Sequence, residues 1–389
     1  MLERSNRLTR LRFDQMAMQV NDRIDNPAEA GVERYVGLEH LDPDSLRIHR
    51  WGEPTDVEST KLRFQPGDII FGKRRVYQRK VAVADFEGIC SAHAMVLRAN
   101  SDAVLPEFLP FFMQSDLFMK RALSISVGSL SPTINWKALA SQEFLLPPIK
   151  EQARLVELLL ASQALTDALR IQAGATRTVF LAAVDDVFTK SAKRGDHAVA
   201  CLSSLSSKIV DGVHHTPAYL SKGVPFITVE NLTCGHGIDF SDTRFISETD
   251  HLEFIKRTKP ELGDVLITKD GTLGVSRVIE TSIEFSIFVS VALVKPNKEV
   301  LDPWFLRFYF ESSLFKRHIA SRVSGSALKH IHLVDLRESP IPVMALDLQR
   351  HSVDILSKIH DRLDEAENRV LEASRFASSI LESMTGRTQ

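Results

Sequence analysis

The chain is poor in several features that would make its class obvious. Its three cysteines, Cys90, Cys201 and Cys234, are far apart and show no paired spacing. That pattern argues against a disulfide framework and fits free thiols in a reducing compartment. No apolar run approaches the ~20 residues that span a bilayer. Met1-Leu2-Glu3-Arg4, followed by Arg7, Arg10 and Arg12, leads into no apolar signal core. A cytoplasmic protein is expected. Charge excess is also missing: the formal net charge is -2 and the pI about 6.7. Any hold on a polyanion must come from a local basic face. With 44% hydrophobic and 25% charged residues, neither disorder nor a fibrous repeat is indicated.

What is present is a repetition. Leu105 to Gln152 and Leu301 to Gln349 align at an offset of 197 residues: Phe108-Leu109 with Phe305-Leu306, Phe112 with Tyr309, Ser115 with Ser312, Phe118 with Phe315, Gly128-Ser129 with Gly325-Ser326, Leu139 with Leu336, Gln152 with Gln349. Upstream, Pro66-Gly67-Asp68-Ile69-Ile70 and Lys73 match Leu262-Gly263-Asp264-Val265-Leu266 and Lys269 at 196, and Tyr35 to Glu39 resembles Phe226 to Glu230 at 191. Solenoid and propeller repeats run roughly 20–50 residues, so this period marks a duplicated domain.

Each copy reads in the same order. Short aliphatic runs bounded by Gly, Pro, Asp and Asn predict strands at Tyr35 to Leu38, Asp68 to Phe71, Val81 to Ala84 and Ala94 to Leu97. In the second copy they fall at Pro225 to Val229, Val265 to Thr268, Val275 to Ile279 and Phe288 to Val294. A helical pair follows, over Leu105 to Arg121 and Pro303 to Val323. Long helices then begin after Pro147-Pro148 and Pro340-x-Pro342, with Glu151 in the first turn of one and Asp347 a candidate N-cap of the other. The second carries Leu356, Ile359, Leu363, Ala366, Val370, Ala373, Ala377 and Ile380 at coiled-coil spacing. The first offers Leu155, Leu158, Ser162, Leu165, Leu169, Gln172, Thr176 and Val179.

The expected fold is α+β: two mixed, mainly β domains separated by two long helices that pair as an antiparallel coiled coil, in a pseudo-twofold internal repeat. The divisions are 1–146, 147–195, 196–339 and 340–389. Paired antiparallel helices of ~30 residues make a rod of ~45 Å, against ~34 Å for one turn of duplex DNA.

Local charge points the same way. Lys73, Arg74, Arg75, Arg79 and Lys80 fall within eight residues with Tyr77 among them, directly after a strand, where a rigid sheet carries a loop outward. In the second copy, Lys269-Asp270-Gly271-Thr272-Leu273-Gly274 has glycines for close backbone approach, a lysine for phosphate and a hydroxyl donor. His214 and His215 are candidate base or phosphate contacts or packing residues. With Cys234 and His236 downstream they also invite a metal reading, which opposite facing of neighbours on a strand disfavours. Glu39 and Glu230, at equivalent positions, are expected to have a common structural or base-contacting role.

The succession of strand domain, Leu146-Pro147-Pro148-Ile149-Lys150-Glu151-Gln152-Ala153, long helix, second strand domain, Ile341-Pro342-Val343 and second long helix resembles the specificity subunit of type I restriction-modification systems. Gly212-Val213-His214-His215-Thr216-Pro217-x-Tyr219, Pro225 to Leu232 and Gly263 to Gly274 are similar to segments of that family's target recognition domains. The resemblance covers essentially the whole chain. It implies a non-catalytic reader of a split, asymmetric double-stranded DNA target, whose DNA contacts would come from Lys73, Arg74, Arg75, Tyr77, Arg79, Lys80, His214, His215, Lys269, Gly271 and Thr272. It implies two modification (methyltransferase) subunits as partners, docked through the helices, with restriction and translocase subunits beyond them. S-adenosylmethionine would sit on the modification subunits and no cofactor or metal on this chain. In keeping with this, the sequence has no Gly-rich phosphate loop ending in Lys-Ser/Thr, no Asn-Pro-Pro-aromatic methyltransferase motif and no nuclease cluster of acids.

Two other classes compete. A duplicated enzyme should duplicate its acid, base or nucleophile, whereas the matched residues here are chiefly Gly, Phe, Leu, Ser and Gln. A coiled-coil scaffold with protein-binding heads would have no need of basic loops.

Overall fold

The computed structural model describes residues 8–190, 197–322 and 330–385; Gly325 and Ser326 lie outside them. The chain forms two compact units, Met1–Ala168 with Arg369–Gln389, and Leu169–Asn368. Each draws part of both long helices.

In the first unit, β1 (Thr9–Arg12) will pair late in the chain with β10 (Glu143–Leu146). Between them come β2 (Ala17–Val20), β3 (Arg23–Ile24), β4 (Tyr35–Val36), β5 (Lys61–Phe64), β6 (Ile69–Gly72), β7 (Val81–Val83), β8 (Gly88–Ser91) and β9 (Ala94–Ala99). They make two four-stranded sheets, ordered β2-β9-β6-β7 and β3-β5-β8-β4, all antiparallel except β4 beside β8. Besides short helical turns such as Phe13–Met16 and Leu38–His40, the helices are α1 (Phe108–Gln114), α2 (Asp116–Ser124), α3 (Trp136–Ala140) and the start of α4 (Ile149–Asp185).

The second unit repeats the plan. It has β11 (Val199–Cys201), β12 (Ser206–Asp211), β13 (Val224–Ile227), β14 (Arg244–Ile246), β15 (Val265–Thr268), β16 (Ser276–Val278), β17 (Ser286–Ile287), β18 (Val291–Pro296) and β19 (Pro340–Pro342). Its helices are α5 (Val229–Thr233), α6 (Glu248–Phe254), α7 (Pro303–Glu311), α8 (Ser313–Ala320), α9 (Leu333–Arg337) and α10 (Leu346–Thr385). The sheet β12-β18-β15-β16 and the ribbon β11-β19 match the first unit; the other sheet, β14-β13-β17, has three strands instead of four and a different order, and keeps only the parallel pair, here β13 with β17.

The central strands are buried on both faces, and alternation shows why. Ile69, Phe71 and Leu97 point into the aromatic core of the helical pair, with Phe108, Phe112 and Phe118, while Ile70, Ala82 and Val96 point into a core with Leu62 and Phe64 of the other sheet. Val265, Ile267 and Val294 against Leu266, Val291 and Leu293 divide identically. Such strands read as continuous apolar runs because both faces are covered.

The residues shared by the two copies turn out to be framework. Ser115 and Ser312 break each helical pair. Each hydroxyl donates to the carbonyl of the preceding helix (Phe112 or Tyr309, both 2.6 Å) and accepts from the amide three residues on. That is an N-cap and a hinge in one side chain. Gln152 and Gln349, both nearly inaccessible, tie each long helix to the entry of the pair: their Oε1 atoms accept from the amides of Leu105 and Asp302 at 2.9 Å, and their amide groups donate to carbonyls of Pro147, and of Val300 and Met344. Gly67 and Gly263, at φ +88° and +80°, turn the chain so that Asp68 and Asp264 accept from the amides of Gln65 and Glu261. Asp68 meets Arg98, and Asp264 meets Lys295.

Within each unit the long helices contribute to the core. Ile380 and Leu381, near the end of α10, pack with Leu155, Val156 and Leu159, near the start of α4. In the other unit Phe180 and Val184 share a core with Leu356 and Leu363, Phe180 stacks edge-on to His360, and Arg177 pairs with Glu367 at 2.5 Å. The expected seam on α10 is the buried stripe: Leu356, Leu363, Ala366, Ala373 and Ile380 are buried, and Ile359, Val370 and Ala377 half-buried. On α4 the register differs from the expectation. Leu169 is buried and Leu155 half-buried, but Leu158 and Leu165 are 44% and 52% exposed. The inward stripe runs instead through Gln152, Val156, Leu159, Ser162, Thr166, Leu169, Ala173 and Phe180. Gln152 decides this, since its bonds to Leu105 and Pro147 fix the rotation of the first turn. Asp347 also departs from its expected role: α10 starts at Leu346, so Asp347 lies inside the first turn and favours the helix through its charge.

Candidate nucleic-acid interface

The basic loop of the first unit leaves β6 and returns in β7, and it is rigid. Val76 is fully buried in the core, and Arg75 and Arg79 adopt φ +57° and +54°, a left-handed conformation uncommon for residues with side chains. The surroundings hold it there. The Arg75 amide donates to Pro132 O (2.8 Å), and Ile134 N donates to Lys73 O (3.0 Å). Arg79 binds Asp44 (2.7 Å), Asp116 (3.0 Å) and the carbonyl of Gln114 (2.5 Å). Arg79, expected among the DNA contacts, is already engaged within the fold: two carboxylates and a carbonyl hold its guanidinium, with 30% of the side chain exposed. Lys80 likewise turns back, donating to Leu38 O at 2.6 Å. Burial lowers the pKa of the Lys73 ammonium below the usual lysine range. The outward groups are Arg75 and Tyr77, both exposed, with Arg74 beside them, 3.2 Å from His93 Nε2.

The corresponding loop of the second unit leaves β15 and is closed on itself. Thr268, fully buried, donates to Thr272 O, accepts from Val275 N, and its carbonyl accepts from Gly274 N. Gly271 and Gly274 take φ +69° and +80°, leaving Gly271 and Thr272 exposed at the tip. Lys269 does not behave as expected. It is 4% exposed, and its ammonium lies 3.6 Å from both Asp211 and Asp270. It positions the loop from beneath and offers phosphate no surface charge.

Asp211, absent from the sequence expectations, organises this region. Its carboxylate accepts from Arg257 (2.7 Å), lies 3.1 Å from His214 Nε2, and faces Lys269. Burial opposes its charge, but the hydrogen bond from His214 and the charges of His214, Lys269 and Arg257 outweigh that and hold the carboxyl below its ordinary range. The neighbouring Gly212 is obligatory, because a Cβ there would lie 2.0 Å from Ile287 O. His214 and His215 both project from the loop that follows, exposed, with the His215 ring edge-on to Phe254 at 5.5 Å. They do not join His236. That residue pairs with Asp364 at 2.7 Å near Glu367, in a network where His360 meets Asp364 and Arg177 meets Glu367. Existing partners satisfy those ligand atoms. Cys234 stands outside that group, and among the described residues no helix is long and apolar enough to cross a membrane.

Two α+β units on one frame, each with a rigid loop of its own chemistry, correspond to a duplicated DNA specificity domain. The chain matches the family described as type I restriction modification DNA specificity domain over residues 55–172 and again over 218–373, and it belongs to that family. Its relatives are specificity subunits of type I enzymes. That of EcoBI from Escherichia coli is 22% identical over 213 residues, 52% of this chain and 44% of that protein. That of EcoDI, also from E. coli, is 31% identical over 155 residues, 38% and 32% of the two chains. These matches span less than half of the relatives' length. Among solved structures, the S subunit of a type I system from M. genitalium aligns over 99% of this chain and 97% of its own, with TM-score 0.55 and 15% identity. A chain from a structural study of type I system assembly aligns over 97% of each with TM-score 0.55 and 20% identity. At these identities the likeness concerns the fold.

Proposed function

We propose that this chain is the non-catalytic DNA-reading subunit of a type I restriction-modification complex. Each unit would read one half of a split, asymmetric duplex target. One observation carries the reading: β6 and β15 hold the same place in the repeated frame but deliver unlike loops, Arg74-Arg75-Tyr77 in one unit and, in the other, Gly271-Thr272 on a loop whose Lys269 shares Asp211 with His214. Arginine is the commonest specific partner of guanine in the major groove, and glycine and threonine suit close backbone approach and phosphate bonding. Modification subunits bearing S-adenosylmethionine would dock on the helices. The exposed Leu158 and Leu165 support this, as leucines the unit's own core leaves uncovered. Methyl transfer and cleavage would belong to the partners.

The test is methylome sequencing of cells expressing this chain with type I modification subunits. The expected result is a split motif with adenine methylated on both strands, lost from the first half when Arg74 and Arg75 are both changed to Glu. An unmodified genome would overturn the reading. An unchanged motif in the double variant would favour the scaffold alternative for that loop.

A further inference from the structure

Glu39 and Glu230 lie 191 residues apart at equivalent places in the repeat. Each stands in the first turn of a short helix, Leu38–His40 or α5, after the strand that pairs in parallel with β8 or β17. The other acids shared by the copies, Asp68 and Asp264, are buried and bonded to backbone amides. These two are not. Both are exposed, Glu230 with 84% of its side chain accessible, and among the described hydrogen bonds neither carboxylate accepts one. Of the two roles expected for the pair, structural or base-contacting, the described hydrogen bonds supply no bond for the first, although the position is kept.

Their surroundings are cationic and aromatic. Lys80 donates to the carbonyl of Leu38, which sets Glu39 beside the loop carrying Arg74, Arg75 and Tyr77. Across from β4, Gly52 bridges to Tyr35, and the adjacent Trp51, 45% exposed, has the Arg34 guanidinium 4.4 Å from its ring. In the second unit Arg244 of β14 lies 4.9 Å over the ring of Tyr219, donates to its hydroxyl at 3.2 Å and reaches within 3.9 Å of Glu230. An exposed carboxylate on a surface that attracts phosphate weakens general affinity. It is useful there only where it meets a hydrogen-bond donor. In the major groove guanine presents two acceptors and thymine one, and adenine sets an acceptor beside its amino group, so all three oppose a carboxylate in part. Cytosine presents its N4 amino group.

We propose that Glu39 and Glu230 are specificity-determining residues, each accepting a hydrogen bond from the N4 amino group of a cytosine in the half-target read by its own unit. The inference rests on the DNA-reading function above. Glutamine at the same place can donate to N7 as well as accept from an amino group, which matches adenine.

The experiment is selection of bound duplexes from a random pool by the full chain assembled with type I modification subunits, as wild type, Glu39→Gln and Glu230→Gln. Wild type is expected to select a split sequence with a constrained cytosine in each half. Glu39→Gln should relax one cytosine position in one half by roughly ten- to hundred-fold, shifting it toward adenine, and leave the other half intact; Glu230→Gln should do the converse. Non-specific affinity should hold or rise. Unchanged base preferences in both variants, or a uniform loss of affinity with the same preferences, would overturn the inference and leave the DNA-reading function standing. Failure of the wild-type assembly to select any sequence would remove that function, and this inference with it.

Discussion

Asp211 shows how much of this surface depends on one buried carboxylate. With its side chain 6% exposed it gathers His214, Arg257 and Lys269, and its own carbonyl accepts from Thr258. Removing the charge leaves the Lys269 ammonium buried beside Asp270 alone. Asp211→Asn should cost about 3 kcal/mol in chemical denaturation at neutral pH. Because the folded carboxyl has a lowered pKa, its contribution is present above the ordinary value of 3.8 and is lost as pH falls below it. The advantage of wild type over Asp211→Asn should therefore shrink in acid. Buried Cys90, its thiol pushed up to about 12 by burial, should resist alkylation in the native protein, whereas exposed Cys201 and Cys234 should react. The fate of each cation was the least legible part of the sequence. A run of five reads as one patch, and what separates Arg79 from Arg75 is the arrival of Asp44 and Asp116, distant in sequence.

Among the elements, strands and helical pairs were legible because their periods are local: β15 falls on Val265 to Thr268 as expected, and the break within each pair coincides with a shared serine. Ser115→Ala and Ser312→Ala should each destabilise by about 1 kcal/mol in thermal or denaturant unfolding. The rotation of α4 was not legible, because leucines lie on more than one face, at Leu155, Leu158, Leu159, Leu160, Leu165 and Leu169. A heptad pattern cannot choose between Leu158 and Leu159. The contrast is testable: Leu159→Ala, at a 2% exposed site, should cost about 2–5 kcal/mol. Leu158→Ala should change stability by less than about 0.5 kcal/mol and, on the proposed function, weaken co-purification of modification subunits.

At the scale of the whole molecule, duplication of framework with divergence of loops separates stability from specificity. On the proposed function, inserting one heptad into α4 after Ala153 should lengthen the unread spacer in the methylated motif and leave the half-target bases alone; changed half-target bases would refute that division. The repeat itself was legible because its conserved side chains, Gln152 and Gln349 foremost, perform the same bonds twice.

The sharing of α10 between the units also has a consequence for biosynthesis. Ile380 and Leu381 complete the core that contains Val156 and Leu159, so the first unit cannot be finished on the ribosome until the whole second unit and the Ile380 codon have been translated. At about 5–20 residues per second, that leaves an unsealed apolar face waiting roughly 10–40 s for its closing segment. A chain stopped before Ile380 should accordingly lose protease resistance in its earliest-made portion, with residues 169–368 the more resistant fragment.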